Sequence, residues 1–216
     1  MTSRTDRAAR LAQARLYCCT DARGSLLDFE RFVNAIYDGG VDIVQFRDKA
    51  MEARPALRHL EVLRRAADAH GALACVNDRA DLAAIAGMDI VHLGQDDLAP
   101  AQARSVVGEH VLIGRSTHAI EESAEAAGDD EVDYFAVGPV WPTPTKPGRP
   151  APGLDLVRAV SAREFLKPWF AIGGIDASRV HEVRDAGARR IVVVRALTEA
   201  GAPTASAFGL RSAIVD

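Results

Sequence analysis

Eight short apolar segments recur along the chain, and segments with helix signals lie between them. The apolar segments span residues 16–20, 43–47, 73–76, 90–93, 111–114, 134–137, 169–172 and 191–194. Their uniformly apolar character is typical of parallel strands covered on both faces, unlike the alternation of a half-exposed antiparallel sheet. Eight strand–helix units within 216 residues predict an α/β fold, a single (β/α)8 TIM barrel.

Helix signals occupy the segments between the apolar runs. Asp28 and Ser178 each precede a helical pattern that ends before a glycine, and Pro100 begins another. The competing architecture is an open doubly wound sheet, which needs a glycine-rich first turn to bind a nucleotide. The first turn here, residues 20–24, has one glycine and lacks the dinucleotide fingerprint. The barrel is therefore favoured.

Length and composition predict one domain. No linker, low-complexity tract or charge block divides the chain, so we expect a disordered N-terminal tail over residues 1–10 and one barrel domain over residues 11–216. No apolar run reaches the roughly 20 residues that span a bilayer, and no signal-peptide core is present, which predicts a cytoplasmic protein. A net charge of −4 argues against nonspecific binding to nucleic acid or membranes. Cys18, Cys19 and Cys75 lie in apolar runs, which predicts buried reduced thiols.

Polar residues follow the second predicted strand. In barrel enzymes the active site lies at the carboxyl ends of the strands, and the second strand ends in Gln45, Arg47 and Lys49. Residues at every second position of a strand point to the same face. We therefore expect an amide and two cations to share one anion site.

Two aspartates follow the next two strands. Asp78 comes after the third strand and Asp97 after the fourth. Magnesium is commonly held by one or two carboxylates together with substrate phosphate oxygens, so the pair predicts a Mg²⁺ site. Each aspartate could instead cap the helix that follows it. Ser116 and Thr117, after the fifth strand, could be helix caps as well, and these alternatives stay open.

The loop after the sixth strand, residues 138–152, holds six of the ten prolines. Long loops in compact domains are usually functional, and proline reduces the entropy that a loop loses when it orders over a ligand. Thr143, Thr145 and Lys146 supply two hydroxyls and a cation. Gly173 and Gly174 follow the seventh strand, where barrel loops often bind a phosphate through backbone N–H groups. Together these residues predict a metal-bound pyrophosphate, a separate monophosphate and catalysis by charge stabilisation.

Five motifs closely resemble the thiamine-phosphate synthase family. They are QFRDK at 45–49, VND at 76–78, HLGQDD at 92–97, GPVWPTPTK at 138–146 and IGGI at 172–175. The resemblance implies that hydroxymethylpyrimidine pyrophosphate and thiazole phosphate are joined to thiamine phosphate. It also implies that pyrophosphate leaves first, and that the thiazole nitrogen captures the resulting methylene cation.

The resemblance further implies a role for each site residue. Asp78 and Asp97 would bind Mg²⁺; Arg47, Lys49, Asn77 and Lys146 the pyrophosphate; Gln45 and Ser116 the pyrimidine; Thr143, Thr145, Gly174 and the backbone of Val194 and Arg195 the thiazole phosphate. Arg47, Lys49 and Lys146 would be the catalytic group. Arg195 is a departure, because family members often have a small hydroxyl residue there.

Other functions fit parts of the pattern. A thiazole tautomerase-like barrel would bind thiazole phosphate but would not need the cations and aspartates. A non-catalytic binder of thiamine intermediates would use the same pockets without turnover. A metal-dependent sugar-phosphate epimerase would need paired histidines and aspartates, which the strand ends lack. The sequence leaves open a homo-oligomer and the use of a carboxylated thiazole.

Overall fold

The computed structural model describes residues 3–143 and 151–215, and these form a closed barrel of eight parallel strands. The strands are β1 Leu16–Thr20, β2 Ile43–Phe46, β3 Leu73–Asn77, β4 Ile90–Leu93, β5 Leu112–Thr117, β6 Tyr134–Val137, β7 Trp169–Ile172 and β8 Ile191–Val193. The helices are α1 Arg4–Gln13, α2 Leu26–Asp38, α3 Ala53–His70, α4 Ala80–Ile85, α5 Pro100–Val107, α6 Ile120–Gly128, α7 Gly153–Ser161, α8 Val180–Asp185, α9 Arg195–Thr198 and α10 Pro203–Val215. The predicted (β/α)8 barrel is confirmed.

Each strand is buried on both faces. Tyr17 of β1 faces the barrel interior, while its neighbour Cys18 packs outward in the layer between strands and helices. The barrel closes where Tyr17 pairs with Val192 of β8. This double burial explains why the strands read as continuous apolar runs.

A hydrogen-bonded polar network lies inside the barrel. The Gln45 amide donates to the Tyr17 hydroxyl (2.7 Å), which lies 3.1 Å from the Tyr134 hydroxyl. Tyr134 lies 3.0 Å from His92 Nδ1. A Cβ at position 114 would lie 2.3 Å from the Tyr134 ring, so Gly114 leaves the space that this ring occupies. The network satisfies polar groups that would otherwise be buried without partners.

The N-terminal segment is a helix from Arg4 onward, so the prediction of a disordered tail is wrong for residues 4–10. Ser3 and Asp6 form a capping box at the start of α1. Arg7 is 8% exposed and pairs with the buried Asp89 (2.9 Å). Leu11, four residues later, is buried against the barrel interior. The segment looks disordered in sequence because its ordering depends on partners distant along the chain.

Two predicted helix caps are also wrong. Ser25, and not Asp28, caps α2, because its hydroxyl accepts the Asp28 amide (3.1 Å). The Ser178 hydroxyl donates to Asp176 (2.6 Å) instead of capping α8, which begins at Val180. The predicted start of α5 at Pro100 is confirmed. The two helix starts differ from the prediction by three residues for α2 and one residue for α8.

The three cysteines are buried thiols that form no disulfide with one another, as the sequence predicted. Burial raises the pKa of the Cys75 thiol to about 12. Within residues 3–143 and 151–215, no helix is both long and apolar enough to cross a bilayer.

Candidate active site at the carboxyl ends of the strands

The second strand separates Gln45 from the two cations that follow it. Gln45 lies within β2, joins the polar network of the barrel interior and is 2% exposed. Its amide oxygen accepts from the Cys19 thiol (3.3 Å). Arg47 is half-buried and Lys49 is exposed, so these two reach the rim. Gln45 therefore faces the barrel interior, and the two cations follow it beyond the end of β2.

Asp78 and Asp97 lie side by side at the mouth of the barrel. Their carboxyl groups are within hydrogen-bonding distance of each other. Lys49 Nζ lies 2.7 Å from Asp78 Oδ2, and Asp97 Oδ2 accepts the Gly94 amide (2.7 Å). Asp78 has φ of 61°, an uncommon backbone conformation for a residue with a side chain. Three groups from three different loops thus meet at one point.

Neither aspartate caps a helix. Arg79 precedes α4, which has no side-chain cap. Ala99 precedes α5, where Gln102 accepts the Ala99 amide (3.0 Å). The capping alternative is therefore wrong for both aspartates, and their carboxylates are available for another use.

The two carboxyl groups respond differently to their contact. Burial, followed by the hydrogen bond with Asp97, raises the pKa of Asp78, and Lys49 offsets part of this effect. Burial also opposes ionisation of Asp97, but the hydrogen bonds with Asp78 and with the Gly94 amide hold the pKa of Asp97 below its ordinary value. Adjacent carboxylates disfavour double ionisation, and a nearby cation relieves the repulsion.

The donor set fits magnesium. Asp78 and Asp97 offer hard carboxylate oxygens, the ligand type that Mg²⁺ prefers. Among the residues that the structure describes, no cluster of three or more histidine, cysteine or carboxylate side chains could hold a metal ion. A site with two protein carboxylates leaves positions for phosphate oxygens, the usual arrangement when Mg²⁺ binds a phosphate ester. Asn77, which the resemblance assigns to the pyrophosphate, is the last residue of β3 and directly precedes Asp78 in sequence.

Arg115 supports the loop that carries Asp97, a role that the sequence did not reveal. Its guanidinium donates to the Gly94 carbonyl (2.8 Å) and lies 3.3 Å from the Gln95 amide oxygen. Arg115 sits opposite Leu93 in the β4–β5 register, which places it beneath this loop. An arginine among the polar residues that end the fifth strand was the signal that could have found it.

Ser116 joins the polar network of the barrel to the mouth. Its hydroxyl lies 3.0 Å from His92 Nε2, and its carbonyl accepts the Gln95 amide (2.6 Å). Ser116 therefore does not cap α6, whose N-cap residue is Ala119. Thr117 is not a cap either, because its hydroxyl donates to the Ala136 carbonyl (3.1 Å).

A cavity of about 280 Å³ opens beside Ser116 at the same end of the barrel. Predicted site residues from four different loops or strand ends line it: Ser116, Thr143, Gly174, Val194 and Arg195. The structure thus brings together residues that lie up to 79 positions apart in sequence. Thr145 and Lys146 lie outside the described residues.

Arg195 does not occupy the position expected for it. The alternation of β8 predicts a face shared by Ile191, Val193 and Arg195, but the strand ends at Val193. Arg195 is instead the exposed first residue of α9. Val194 and Arg195 both border the cavity. The alternation of β8 does not reach Arg195, because the strand ends at Val193 and α9 begins at Arg195.

The structure is a (β/α)8 barrel with a cavity and a cluster of polar residues at the carboxyl ends of its strands, where barrel enzymes bind their substrates. A protein-family model described as thiamine monophosphate synthase matches residues 16–197. A thiamine-phosphate synthase of Mycobacterium sp. (strain KMS) is 58% identical over 214 residues, which cover 95% of this chain and 94% of that protein. The chain therefore belongs to the thiamine monophosphate synthase family, and it is a transferase of thiamine biosynthesis.

Two further comparisons agree with this assignment. A thiamine-phosphate synthase of Streptomyces avermitilis is 58% identical over 198 residues and covers 92% of both chains. Among solved structures, the thiamine phosphate pyrophosphorylase from Pyrococcus furiosus matches with a TM-score of 0.84 and 29% identity, over 94% of this chain and 96% of that one. The family resemblance read from the five motifs is confirmed.

Proposed function

We propose that the protein joins hydroxymethylpyrimidine pyrophosphate to thiazole phosphate and releases pyrophosphate. The observation that carries this proposal is that two separate groups of predicted site residues lie at the same end of the barrel. One is the Lys49, Asp78 and Asp97 cluster, and the other is the cavity bordered by Gly174. The Gln95 side chain links their two loops by donating to the Ser116 carbonyl (2.6 Å). Two anionic substrates could therefore meet between them.

Asp78 and Asp97 would hold magnesium in this reaction. When bound, the ion would neutralise part of the negative charge on the leaving pyrophosphate. The contact between the two carboxyl groups supports this role, since both are ionised most readily when a cation lies between them. Lys49 already provides one positive charge at this point.

The proposed reaction is a substitution at the methylene carbon of the pyrimidine. The bond from that carbon to the pyrophosphate oxygen breaks, and its electron pair leaves with pyrophosphate. The lone pair of the thiazole nitrogen then forms the new carbon–nitrogen bond. Arg47 and Lys49, with Lys146 and Asn77, would stabilise the charge that grows on the leaving group. No side-chain nucleophile is required.

The barrel interior would protect the cationic intermediate from water. Below the mouth, the rings of Tyr17, Tyr134 and Phe170 pack edge to face or tilted, with centroids 5.6–6.2 Å apart. These side chains are fully buried. Ser116, and Gln45 beneath it, would contact the pyrimidine from this side. Exclusion of water matters because water competes with the thiazole nitrogen for a carbocation.

One experiment tests the proposal and its alternatives. The protein is incubated with both substrates and Mg²⁺, and thiamine phosphate and pyrophosphate are quantified. Equal amounts of the two products support the proposal. A double-bond shift in thiazole phosphate alone, followed by NMR, would indicate a tautomerase. Tight binding of both substrates without product would indicate a binding protein.

The cytoplasmic location stays a prediction from the sequence.

A further inference from the structure

The loop between β6 and α7 is fastened to the turn after β7. The Val140 amide donates to the Ile172 carbonyl (2.8 Å), and the Trp141 amide donates to the Gly173 carbonyl (3.0 Å). These two bonds continue the pairing of β6 with β7 past the strand ends. The base of the loop is therefore attached to the turn, two residues before Thr143.

The double glycine allows this close approach. A Cβ at position 173 would lie 2.6 Å from Pro139 Cα, and one at position 174 would lie 2.8 Å from Trp141 Cβ. Contacts this short are not found in proteins, so any side chain would push the loop away. Gly173 and Gly174 also have φ of 108° and 70°, which favours glycine. Glycine at both positions of the turn therefore lets the β6–α7 loop pack directly against it.

Arg179 contacts both parts of this junction. Its Nη1 donates to the Gly174 carbonyl (3.1 Å), and its Cζ lies 5.0 Å from the centroid of the Trp141 ring. That distance is within the range of a cation–π interaction. Arg179 is half-buried, immediately precedes α8 and borders the same cavity as Thr143. One guanidinium therefore links the turn to the loop.

We propose that Arg179 is a positioning residue, which clamps the base of the β6–α7 loop on the Gly173–Gly174 turn and so fixes Thr143 at the cavity. The proposal rests on the proposed function, in which thiazole phosphate binds the cavity bordered by Gly174, with Thr143 among its ligands as the family resemblance implies. A loop that is already ordered loses less entropy when a ligand binds. Loss of the clamp therefore weakens binding of the monophosphate substrate and leaves the pyrophosphate substrate unaffected.

The first test reads the clamp without any activity measurement. The chain has two tryptophans, so Trp169→Phe leaves Trp141 as the single emitter. In that background we expect Arg179→Ala to raise the acrylamide quenching constant of Trp141 about twofold, since the guanidinium no longer covers the ring. Arg179→Lys keeps the charge and should give an intermediate value. Arg65→Ala, which removes an exposed arginine of α3, is the matched control and should change nothing.

The second test is kinetic. We expect Arg179→Ala to raise KM for thiazole phosphate about tenfold, and to change kcat and KM for the pyrimidine pyrophosphate less than about twofold. Trp141→Leu should give the same pattern from the other side of the contact. If the two residues act through one clamp, the double variant should equal either single variant, because coupled changes are not additive.

Each outcome decides the proposal. Unchanged quenching in Arg179→Ala, equal increases of both KM values, or additive effects in the double variant would overturn it. A melting temperature near that of the parent protein shows that the variants are folded. If the parent protein forms no thiamine phosphate, the proposed function fails, while the quenching series still decides whether Arg179 holds the loop.

Discussion

The Lys49 ammonium lies 2.7 Å from a carboxylate oxygen of Asp78, so a cation assigned to pyrophosphate and a carboxylate assigned to magnesium form one ion pair. The two residues come from the loops after β2 and β3. In the proposed reaction this contact would couple the two binding events. Magnesium would share Asp78 with Lys49, and the pyrophosphate would attract Lys49 towards itself.

This coupling predicts that removal of the Lys49 charge strengthens Mg²⁺ binding but lowers kcat. Lys49→Met should strengthen Mg²⁺ binding to the free protein about threefold, because it removes a partly solvent-screened positive charge beside the site. The same variant should lower kcat, because the charge on the leaving pyrophosphate is less well stabilised. Titration calorimetry measures the first effect and product formation the second. Weaker Mg²⁺ binding in the variant would contradict the placement of the metal at Asp78.

Removal of one carboxylate should impair turnover strongly. Asp78→Asn and Asp97→Asn should each lower kcat more than about tenfold and shift the Mg²⁺ dependence to higher concentrations, since each removes an anionic ligand. Asparagine at position 97 can still accept the Gly94 amide, so the loop should keep its structure. Rates measured across a magnesium titration give the answer. Parental turnover by Asp97→Asn at limiting magnesium would remove that residue from the metal site.

Arg47 should act mainly on the chemical step. We expect Arg47→Ala to lower kcat by a larger factor than it raises KM, because charge on the leaving group increases as the bond breaks. Lys146 lies outside the described residues. From the sequence we expect Lys146→Ala to lower kcat more than it raises KM as well. Steady-state kinetics with each substrate varied in turn separates the two constants. A change confined to KM would assign these residues to ground-state binding.

Gly174 offers a steric test of the monophosphate site. Gly174→Ala should raise KM for thiazole phosphate more than about tenfold, because the new Cβ would lie 2.8 Å from Trp141 Cβ and displace the loop. Gly87→Ala is the matched control: its φ is 63° and nothing lies within 4 Å of the added Cβ. Both variants should lose about 1 kcal/mol of stability from the left-handed backbone. Only the first should lose affinity, and equal kinetics for the two would contradict the steric argument.

Asp89 should be a main determinant of stability at the other end of the barrel. It pairs with Arg7 and Arg64, accepts the Ala74 amide (2.9 Å) and is 1% exposed. Asp89→Asn should lower the free energy of unfolding by about 3 kcal/mol, because two partly buried guanidinium groups lose their common partner. Urea denaturation measures this change. The control Asp38→Asn removes an exposed carboxylate near His70 and should have an effect below about 1 kcal/mol.

The sequence determined the barrel and the position of its mouth. A closed parallel sheet buries both faces of every strand, so each strand is an apolar run in the sequence. Such a run can be recognised without knowing which strands lie beside it. Polar residues such as Asp78 and Asp97 directly follow these runs, and the carboxyl ends of all the strands meet at one end. Family membership followed because five short motifs occur in order.

Tertiary structure alone decided the contacts that involve distant residues. Helix α1 is ordered because Arg7 meets Asp89, which lies 82 positions away, and no local pattern predicts that pairing. Gln45 is buried because its side chain bonds to Cys19 and Tyr17 of β1 in the barrel interior. The contact of Asp78 with Asp97, and that of Arg179 with Trp141, depend on how neighbouring loops pack. Local sequence determines the backbone conformation of each segment, whereas these contacts depend on closure of the sheet, which places distant segments side by side.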